Sequence, residues 1–535
     1  MPRLRLRRFV IAAVLATALA ACAGLPPGAA FPRRASSALD TGVETRLGTR
    51  FSALSGQHGG RSAFHLLDAG VAGLLTRVQM IDAAERTVDV QYFIFRGDAT
   101  GQLITAALAR AAARGLRVRV LVDDADTVAG DEQLLGLARD ASVEIRIFNP
   151  FAYRGHLRLL RGAEFLFNMR RLDYRMHNKL MIVDNAVALI GGRNIGNQYF
   201  QVDPASQFAD DDVFAAGPVV QRLSVAFDDY WNSRLSIPAA ALCNRLLLSP
   251  LAAPETIKRP DPGLMASLDS SAVDYPALLR SGEPYAGLVA GRLPLTWAQA
   301  QVVADSPYKK DVQNGRYRGR LMSRPVAAAM AGVKRELLMI TPYFIPGKPE
   351  MRVLTDLLAK DVEVGILTNS LMSSPELFVH AGYSTFRRTL LDAGADLYEL
   401  RSTLGNPRGS GQTSRISSFG TYSLHAKVFV FDRERIFIGS MNYDQRSKHL
   451  NTEIGVLIES PELATAAAAR FALMTQPENA YALSLRGTGP AGRRNIVWDT
   501  VEDGRHRQYT LEPARSGWQR LQNRLLMRLP DDGEL

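Results

Sequence analysis

Residues 177–194 read His177-Asn178-Lys179-Leu180-Met181-Ile182-Val183-Asp184-Asn185-Ala186-Val187-Ala188-Leu189-Ile190-Gly191-Gly192-Arg193-Asn194. Residues 425–442 read His425-Ala426-Lys427-Val428-Phe429-Val430-Phe431-Asp432-Arg433-Glu434-Arg435-Ile436-Phe437-Ile438-Gly439-Ser440-Met441-Asn442. The offsets are the same in both stretches, with Lys at +2, Asp at +7, Gly at +14 and Asn at +17 from the histidine. The apolar run after each lysine predicts a strand, on which i and i+2 share a face, so His and Lys project together. Asp184-Asn185 and Asp432-Arg433 fall where a hairpin turn sits. The return strands deliver Gly191 and Gly192 in one stretch and Gly439 and Ser440 in the other. Small residues there let backbone approach a bound ligand. Asn194 and Asn442 follow, with amides able to donate to a phosphate oxygen.

Working outward, each stretch closes one copy of a long internal repeat. Val88-Asp89-Val90-Gln91-Tyr92-Phe93-Ile94 corresponds to Leu338-Met339-Ile340-Thr341-Pro342-Tyr343-Phe344-Ile345. A helical pattern follows in each, 103–114 and 351–360, then strands 116–121 and 362–367, then 143–147 and 395–399. Strands alternating with helices of this length predict an α/β fold in each copy, a sheet covered by helices. The first copy spans 61–245 and the second 291–480. Residues 246–290, rich in Pro, Ser and Asp, connect them. A C-terminal extension, 481–535, places Trp518, Leu521, Leu525 and Leu529 at helical spacing among arginines, a pattern of an interfacial or a self-packed helix. Residues 402–420 form a Gly/Ser/Thr-rich loop leading into His425.

A chain of 535 residues exceeds one ordinary core. Hydrophobic residues make up 47% and charged residues 22%, which excludes a disordered chain. The net charge of +11 favours anionic partners. The basic excess is mostly arginine, with 9 lysines among 64 basic residues. Two of those few lysines stand two residues after the repeated histidines, where a compact ammonium suits a phosphoryl group that changes geometry.

The N-terminus carries Arg3, Arg5, Arg7 and Arg8 and then an apolar run, Phe9 to Ala20, too short for a membrane span. It reads as a signal peptide over 1–21. Leu19-Ala20-Ala21-Cys22 resembles the bacterial lipobox, which implies a lipidated Cys22 and a protein anchored in the cell envelope. Ala23, where an Asp would mark inner-membrane retention, favours the periplasmic face of the outer membrane. Residues 22–60 read as a tether. With Cys22 lipidated, Cys243 is left alone and no internal disulfide can form.

Two histidines at repeat-equivalent positions suit displacement at a phosphodiester. One attacks phosphorus while the other protonates the leaving oxygen, and imidazole can do either near neutral pH. Lys179, Lys427, Asn194 and Asn442 would hold the non-bridging oxygens. No HExxH or CxxC pattern supplies a metal site, and none is expected, nor any cofactor.

The paired motifs resemble those of the phospholipase D superfamily, and the resemblance counts Asp184 and Asp432, as third members, in the catalytic set. Arg175-Met176-His177-Asn178-Lys179, Gly191-Gly192-Arg193-Asn194-Ile195-Gly196, Phe148-Asn149-Pro150-Phe151, Leu367-Thr368-Asn369-Ser370-Leu371, His380-Ala381-Gly382-Tyr383 and Leu450-Asn451-Thr452-Glu453 resemble its bacterial cardiolipin synthase C branch. The resemblance implies two tandem α-β-α sandwich domains related by a pseudo-two-fold axis, with one active site between them. It implies a phosphohistidine intermediate, His177 as the nucleophile, and a phosphatidyl group moved from phosphatidylethanolamine or phosphatidylglycerol to phosphatidylglycerol. An acidic residue at the position of Glu453 orients an imidazole in the family. Asp212 is the matching candidate in the first copy, with Asp210 and Asp211 as neighbours that fit the same role. Hydrolysis to phosphatidic acid uses the same intermediate and stays open. Membrane phospholipids are the expected partners. A secreted nuclease is the reading the fused repeat and lipid anchor weigh against.

Overall fold

Side-chain alternation sorts each copy's strands into two buried faces, and the layers follow from that. The computed structural model describes residues 33–40, 44–125, 134, 136–138, 140–153, 158–202, 206–242, 281–403, 421–487 and 494–528. The signal segment, Cys22, Cys243, residues 246–280, the 404–420 part of the Gly/Ser/Thr-rich loop and Leu529 lie outside the described residues.

The first sheet runs Ser236–Pro238, Val143–Phe148, Arg117–Asp123, Thr87–Tyr92, Lys179–Val183, Val187–Gly191, Asp212–Ala216, Ser62–Leu67 in spatial order. The second runs Ala480–Arg486, Asp396–Leu400, Glu363–Asn369, Glu336–Ile340, Val428–Phe431, Arg435–Gly439, Ile454–Glu459, Thr296–Ala304. The order and directions are the same, so the repeat read in the sequence is a repeat of topology. The sheets join edge to edge, antiparallel, where Ala63 faces Trp297.

Val88, Val90, Met181 and Val183 point outward, under helices Gly70–Ala83 and Ala99–Ala113. Leu180 and Ile182 point inward. There they share one core with Leu338, Ile340, Val428 and Val430 of the other sheet and with two central helices, Pro218–Trp231 and Pro461–Met474. Outer helices Ser323–Ala331, Lys348–Leu358 and Arg387–Ala393 close the second copy. The result is two tandem α-β-α sandwiches sharing their inner layer. A buried ion pair, Arg119 Nε to Asp89 Oδ1 at 2.7 Å, reaches Asp228 at 2.8 Å and so ties a central helix to the first sheet.

In each sheet the inner strands are parallel, and the motif strand runs antiparallel to its neighbour, with Tyr92 opposite Lys179 and Ile340 opposite Val428. The motif strands therefore start at the edge where the parallel strands end. That carboxyl edge is where open α/β sheets bind ligands.

Four expectations need correction. The tether does not extend to residue 60. Arg33 donates to Ser233 O at 2.9 Å, Ala38 N donates to Asp228 at 2.7 Å, and Arg46–Gln57 is a helix capped by Thr45 with Leu47 and Phe51 buried. Burying each of those side chains contributes about 1.5–3 kcal/mol, enough to dock the segment. The C-terminal extension does not begin at 481 as a separate unit. Strand Ala480–Arg486 pairs with Asp396–Leu400, and Asn495–Glu502 and Arg505–Tyr509 continue that sheet. The segment 338–345, expected to match 88–94 as a whole, is divided. One strand ends at Ile340 and a separate short one is Phe344–Ile345, with Pro342, which has no N–H for the ladder, between them. Finally, both histidines stand just ahead of their strands rather than on them.

Candidate active site

The segment leading to His177 crosses to the second copy. Met176 bridges Thr452, and His177 N donates to Thr452 O at 2.9 Å. Its counterpart crosses the other way. Ser206–Ala209 pairs in parallel with Thr421–Leu424, and His425 N donates to Ala209 O at 2.8 Å. These exchanges carry each histidine to a carboxylate of the opposite copy. His177 Nδ1 donates to Glu453 Oε2 at 2.9 Å, and His425 Nδ1 donates to Asp210 Oδ2 at 2.6 Å. A carboxylate can only accept here, so each ring carries its proton on Nδ1 and leaves Nε2 for chemistry. Phe93 packs edge-on against His177, and Tyr199 and Phe208 pack against His425.

The residue that orients His425 is Asp210, not Asp212. Strand register explains the correction. Gly191 faces Asp212 while Gly439 faces Gly455, so Asp212 is equivalent to Gly455 and Asp210 to Glu453. Asp212 instead accepts from Arg77 at 2.9 Å and Arg193 at 3.1 Å in a buried cluster that fixes helix Gly70–Ala83. Asp211 pairs with Arg470 of the second copy at 2.7 Å. Counting strand register back from the glycine pair would have found Asp210. Counting residues from the asparagine does not, because the first copy has five more residues in that loop: 210 − 194 = 16 against 453 − 442 = 11.

The third motif members are not at the reacting centre. Asp184 and Asp432 occupy left-handed backbone at φ 54° and 55°, at the far end of the motif strands. Asp184 accepts from the backbone N–H of Glu85, Arg86 and Thr87 at 2.8–2.9 Å. Asp432 accepts from those of Lys334, Arg335 and Glu336. Each staples its hairpin turn to the segment entering the neighbouring strand, which is a fold role.

The small residues are also reassigned. A Cβ on Gly192 would collide with Asp210 Oδ1, and a Cβ on Gly191 would lie 2.5 Å from Asp211 O. A Cβ on Gly439 would lie 2.5 Å from Ile454 O. These glycines admit the neighbouring strand and its carboxylate rather than a ligand. Ser440, the equivalent of Gly192, donates its hydroxyl to Glu453 and accepts from Ile454 N at 3.0 Å. Asp305 supports the same carboxylate from behind by accepting Glu453 N at 3.0 Å, and is itself paired with Lys309 at 2.8 Å. Nothing in the sequence pattern singles out Asp305.

Both lysines are buried, and each caps its own histidine's carbonyl, Lys179 at 2.6 Å. Asn194 is braced, donating to Tyr199 Oη at 2.9 Å and accepting from Ile94 N at 3.2 Å. Asn442 is buried with an unpartnered Oδ1. Lys179 and Lys427, one from each copy, are buried close enough to both histidines to act on each.

The electrostatics show the two motifs within reach of one another. Burial, then Lys179 and Lys427, push His177 well below the usual imidazole range. Burial, then Lys427, push His425 down to about 3 against the pull of Asp210. Burial pushes Lys427 down to about 8 and Lys179 well below its usual value. Burial pushes Glu453 up to about 7, while His425 and Lys427 outweigh burial and hold Asp210 down to about 2. Two buried ammonium groups disfavour one another and keep both imidazoles neutral until an anion arrives. The arrangement is built to be completed by a phosphate.

The sequence pattern described as "Cardiolipin synthase, PLD-like domain" matches residues 78–231 and 326–475, one match per sandwich. The chain is 36% identical over 487 residues to cardiolipin synthase C of Escherichia coli (strain K12), covering 91% of this chain and 98% of that one. It is 27% identical to cardiolipin synthase A of Pseudomonas entomophila, over 73% of this chain and 64% of that one. Among solved structures, phosphatidylserine synthase of Haemophilus influenzae shares the fold, with a TM-score of 0.50 at 14% identity over 81% of this chain and 92% of that one. With a match in each half, each spanning one of the two exchanged histidines, the chain belongs to the cardiolipin synthase family of phospholipase D-like proteins.

Proposed function

We propose that the protein is a phosphatidyltransferase that makes cardiolipin at a membrane surface. The observation that carries this is the exchange of carboxylates, which gives one site two imidazoles, each held through Nδ1 by an acid of the opposite copy. His177 Nε2 attacks the phosphorus of a donor phospholipid and forms an N–P bond. Burial and the charges of Lys427 and Lys179 hold His425 neutral in the free protein. The negative charge of the bound phosphodiester offsets the two lysines, so His425 is protonated in the complex. The bond from phosphorus to the leaving alcohol breaks, and His425 gives that oxygen its Nε2 proton. His425 then takes the proton from a glycerol hydroxyl of phosphatidylglycerol. That oxygen attacks phosphorus, the N–P bond breaks and His177 is restored. Asp210, held anionic, supports the His425 imidazolium. Glu453, pushed up to about 7, pairs with a ring kept neutral, as a nucleophile must be. Lys179, Lys427 and Asn442 hold the non-bridging oxygens.

An apolar cavity of about 310 Å³ supports a lipid substrate. Val326, Ala327, Met330, Val353 and Met441 line it, and Asn442 forms one wall. An acyl chain of a phospholipid bound at Asn442 fits this slot. Cys22 lies outside the described residues, and its acylation would add an anchor.

The test is product analysis with vesicles of phosphatidylglycerol, with and without phosphatidylethanolamine. Cardiolipin, lost in His177→Ala and His425→Ala, is expected. Phosphatidic acid alone would replace the transferase by a hydrolase, and DNA cleavage with unchanged lipids would overturn the lipid reading.

A further inference from the structure

Two solvent-facing apolar helices stand at the edge that carries the histidines, one on each copy. In the first copy, helix Arg158–Phe167 and the residues after it expose Leu159 (87%), Leu166 (72%), Phe167 (70%) and Met169 (47%). In the second, helix Gly517–Leu526 exposes Trp518 (63%), Leu521 (46%) and Leu525 (52%). Single exposed apolar residues are ordinary, but runs of them on one helix mark a contact surface.

Their mounting is parallel. In the first helix the buried Glu164 accepts from Ala152 N at 2.7 Å and Tyr153 N at 2.8 Å, just beyond strand Val143–Phe148. Arg161 pairs with Asp124 at 3.5 Å and stacks on Phe151. Asp123, the neighbour of Asp124, accepts from Met176 N at 2.8 Å, one residue before His177. In the second helix Gln519 donates to Leu371 O at 2.9 Å, while Arg515, just before the helix, donates to Met372 O at 2.8 Å. Both carbonyls lie just beyond strand Glu363–Asn369. Asn369 donates to Leu424 O at 2.9 Å, one residue before His425. Each helix thus hangs from the loop after a parallel strand whose last residue touches the segment entering a catalytic histidine.

We propose that these two helices seat the protein, face down, on the interfacial region of an anionic bilayer, so that the cleft opens onto the lipid headgroups. Two exposed apolar stripes on separate halves, both held beside the segments entering the histidines, suit a plane rather than a groove-binding protein partner. Arg170 flanks the first stripe, and Arg524 and Arg528 flank the second, all exposed and without ion-pair partners among the described residues. Apolar faces rimmed by arginine match lipid tails beneath anionic headgroups. No helix among the described residues is long and apolar enough to cross a membrane. The proposal names the surface through which the proposed lipid site meets its substrate, and it rests on that reading.

Trp518 provides its own probe, since Trp231 and Trp498 are buried and Trp297 is partly covered. The full chain is mixed with vesicles of brominated phosphatidylglycerol, and Trp518→Phe gives the background. Trp518 emission is expected to fall by about half, because an interfacial helix sits roughly 5–10 Å into the headgroup and acyl boundary. Phe167→Trp in the Trp518→Phe background should be quenched similarly. Brominated phosphatidylcholine should quench both less. No quenching of either probe overturns the proposal, and so does quenching of only one or equal quenching by the zwitterionic lipid. Lipid turnover is followed in the same samples. Active protein with unquenched probes sinks the seating alone, whereas quenched probes without lipid products sink the proposed function alone.

Discussion

Asp210 and Glu453 occupy the same register position in the two sheets, and each serves the histidine of the other half. Asp212, two residues along, belongs to a different network, with Arg77 and Arg193. The two acids should therefore fail differently. Asp210→Asn should keep the fold and lower kcat by about 10²–10⁴, because the amide can hold the wrong ring tautomer and no longer stabilises an imidazolium. Asp212→Asn leaves two buried guanidinium groups short of an anion and should cost about 3–5 kcal/mol of stability. Steady-state kinetics beside thermal melts separates them. A catalytic collapse in folded Asp212→Asn with near-normal Asp210→Asn would reverse the assignment.

The fold was legible because topology repeats: two apolar runs with identical offsets and matched strand-helix-strand orders leave few arrangements open. The histidines and lysines were legible for the same reason, and Glu453 through the family resemblance. What stayed hidden depends on register between strands far apart in sequence. Asp210 could not be told from Asp212 without knowing that Gly191 faces residue 212. The glycines and the aspartates at +7 looked like site residues because they share the motif, yet what they touch is neighbouring backbone and carboxylates. The docked segment 33–57 was missed because small and polar residues dominate it and only Leu47 and Phe51 carry its burial.

The pH profile should be narrow. Lys427, pushed down to about 8 by burial, is an ammonium below that pH and neutral above it. Its loss weakens phosphate binding, so kcat/KM should fall as pH rises through about 8. Glu453, pushed up to about 7 by burial, is ionised above that pH, so kcat/KM should also fall as pH drops through about 7. The Ser440 hydroxyl lowers the Glu453 value. Ser440→Gly removes that donor and should move the acid limb to higher pH while leaving the alkaline limb in place. A profile from pH 5 to 10 on a soluble phosphodiester checks this, and an acid limb that stays put or moves down contradicts it.

Asp432 should matter for stability and not for turnover. Three backbone N–H groups outweigh burial and hold its carboxyl below the usual range. A depressed carboxylate stabilises the fold above its unfolded pKa of about 3.9 and loses that contribution as pH falls through the folded value. Asp432→Asn tolerates the left-handed backbone but gives up the charge. It should cost about 1–3 kcal/mol at neutral pH, with the deficit shrinking towards pH 3. The kcat of the folded fraction should be unchanged. Denaturant melts at several pH values test the first claim, and a lowered kcat in fully folded protein would restore Asp432 to the chemistry.

The cavity beside Asn442 should govern acyl chains and nothing else. Ala327 is exposed at its mouth, and Val326 and Met330 lie buried behind it. Ala327→Trp fills the entrance without disturbing the core, since the added ring enters the cavity and not the packed interior. An acyl chain leaves about 0.8 kcal/mol in water for each methylene it can no longer bury. Excluding three methylenes would thus raise KM for a long-chain phosphatidylglycerol roughly fiftyfold at unchanged kcat, by the rule that 1.4 kcal/mol is about tenfold. A phosphodiester without acyl chains never reaches the slot and should be turned over at the normal rate. Equal losses on both substrates would mean that the tryptophan disturbs the catalytic groups. Equal retention on both would mean that the chain lies elsewhere, on the membrane side of the cleft.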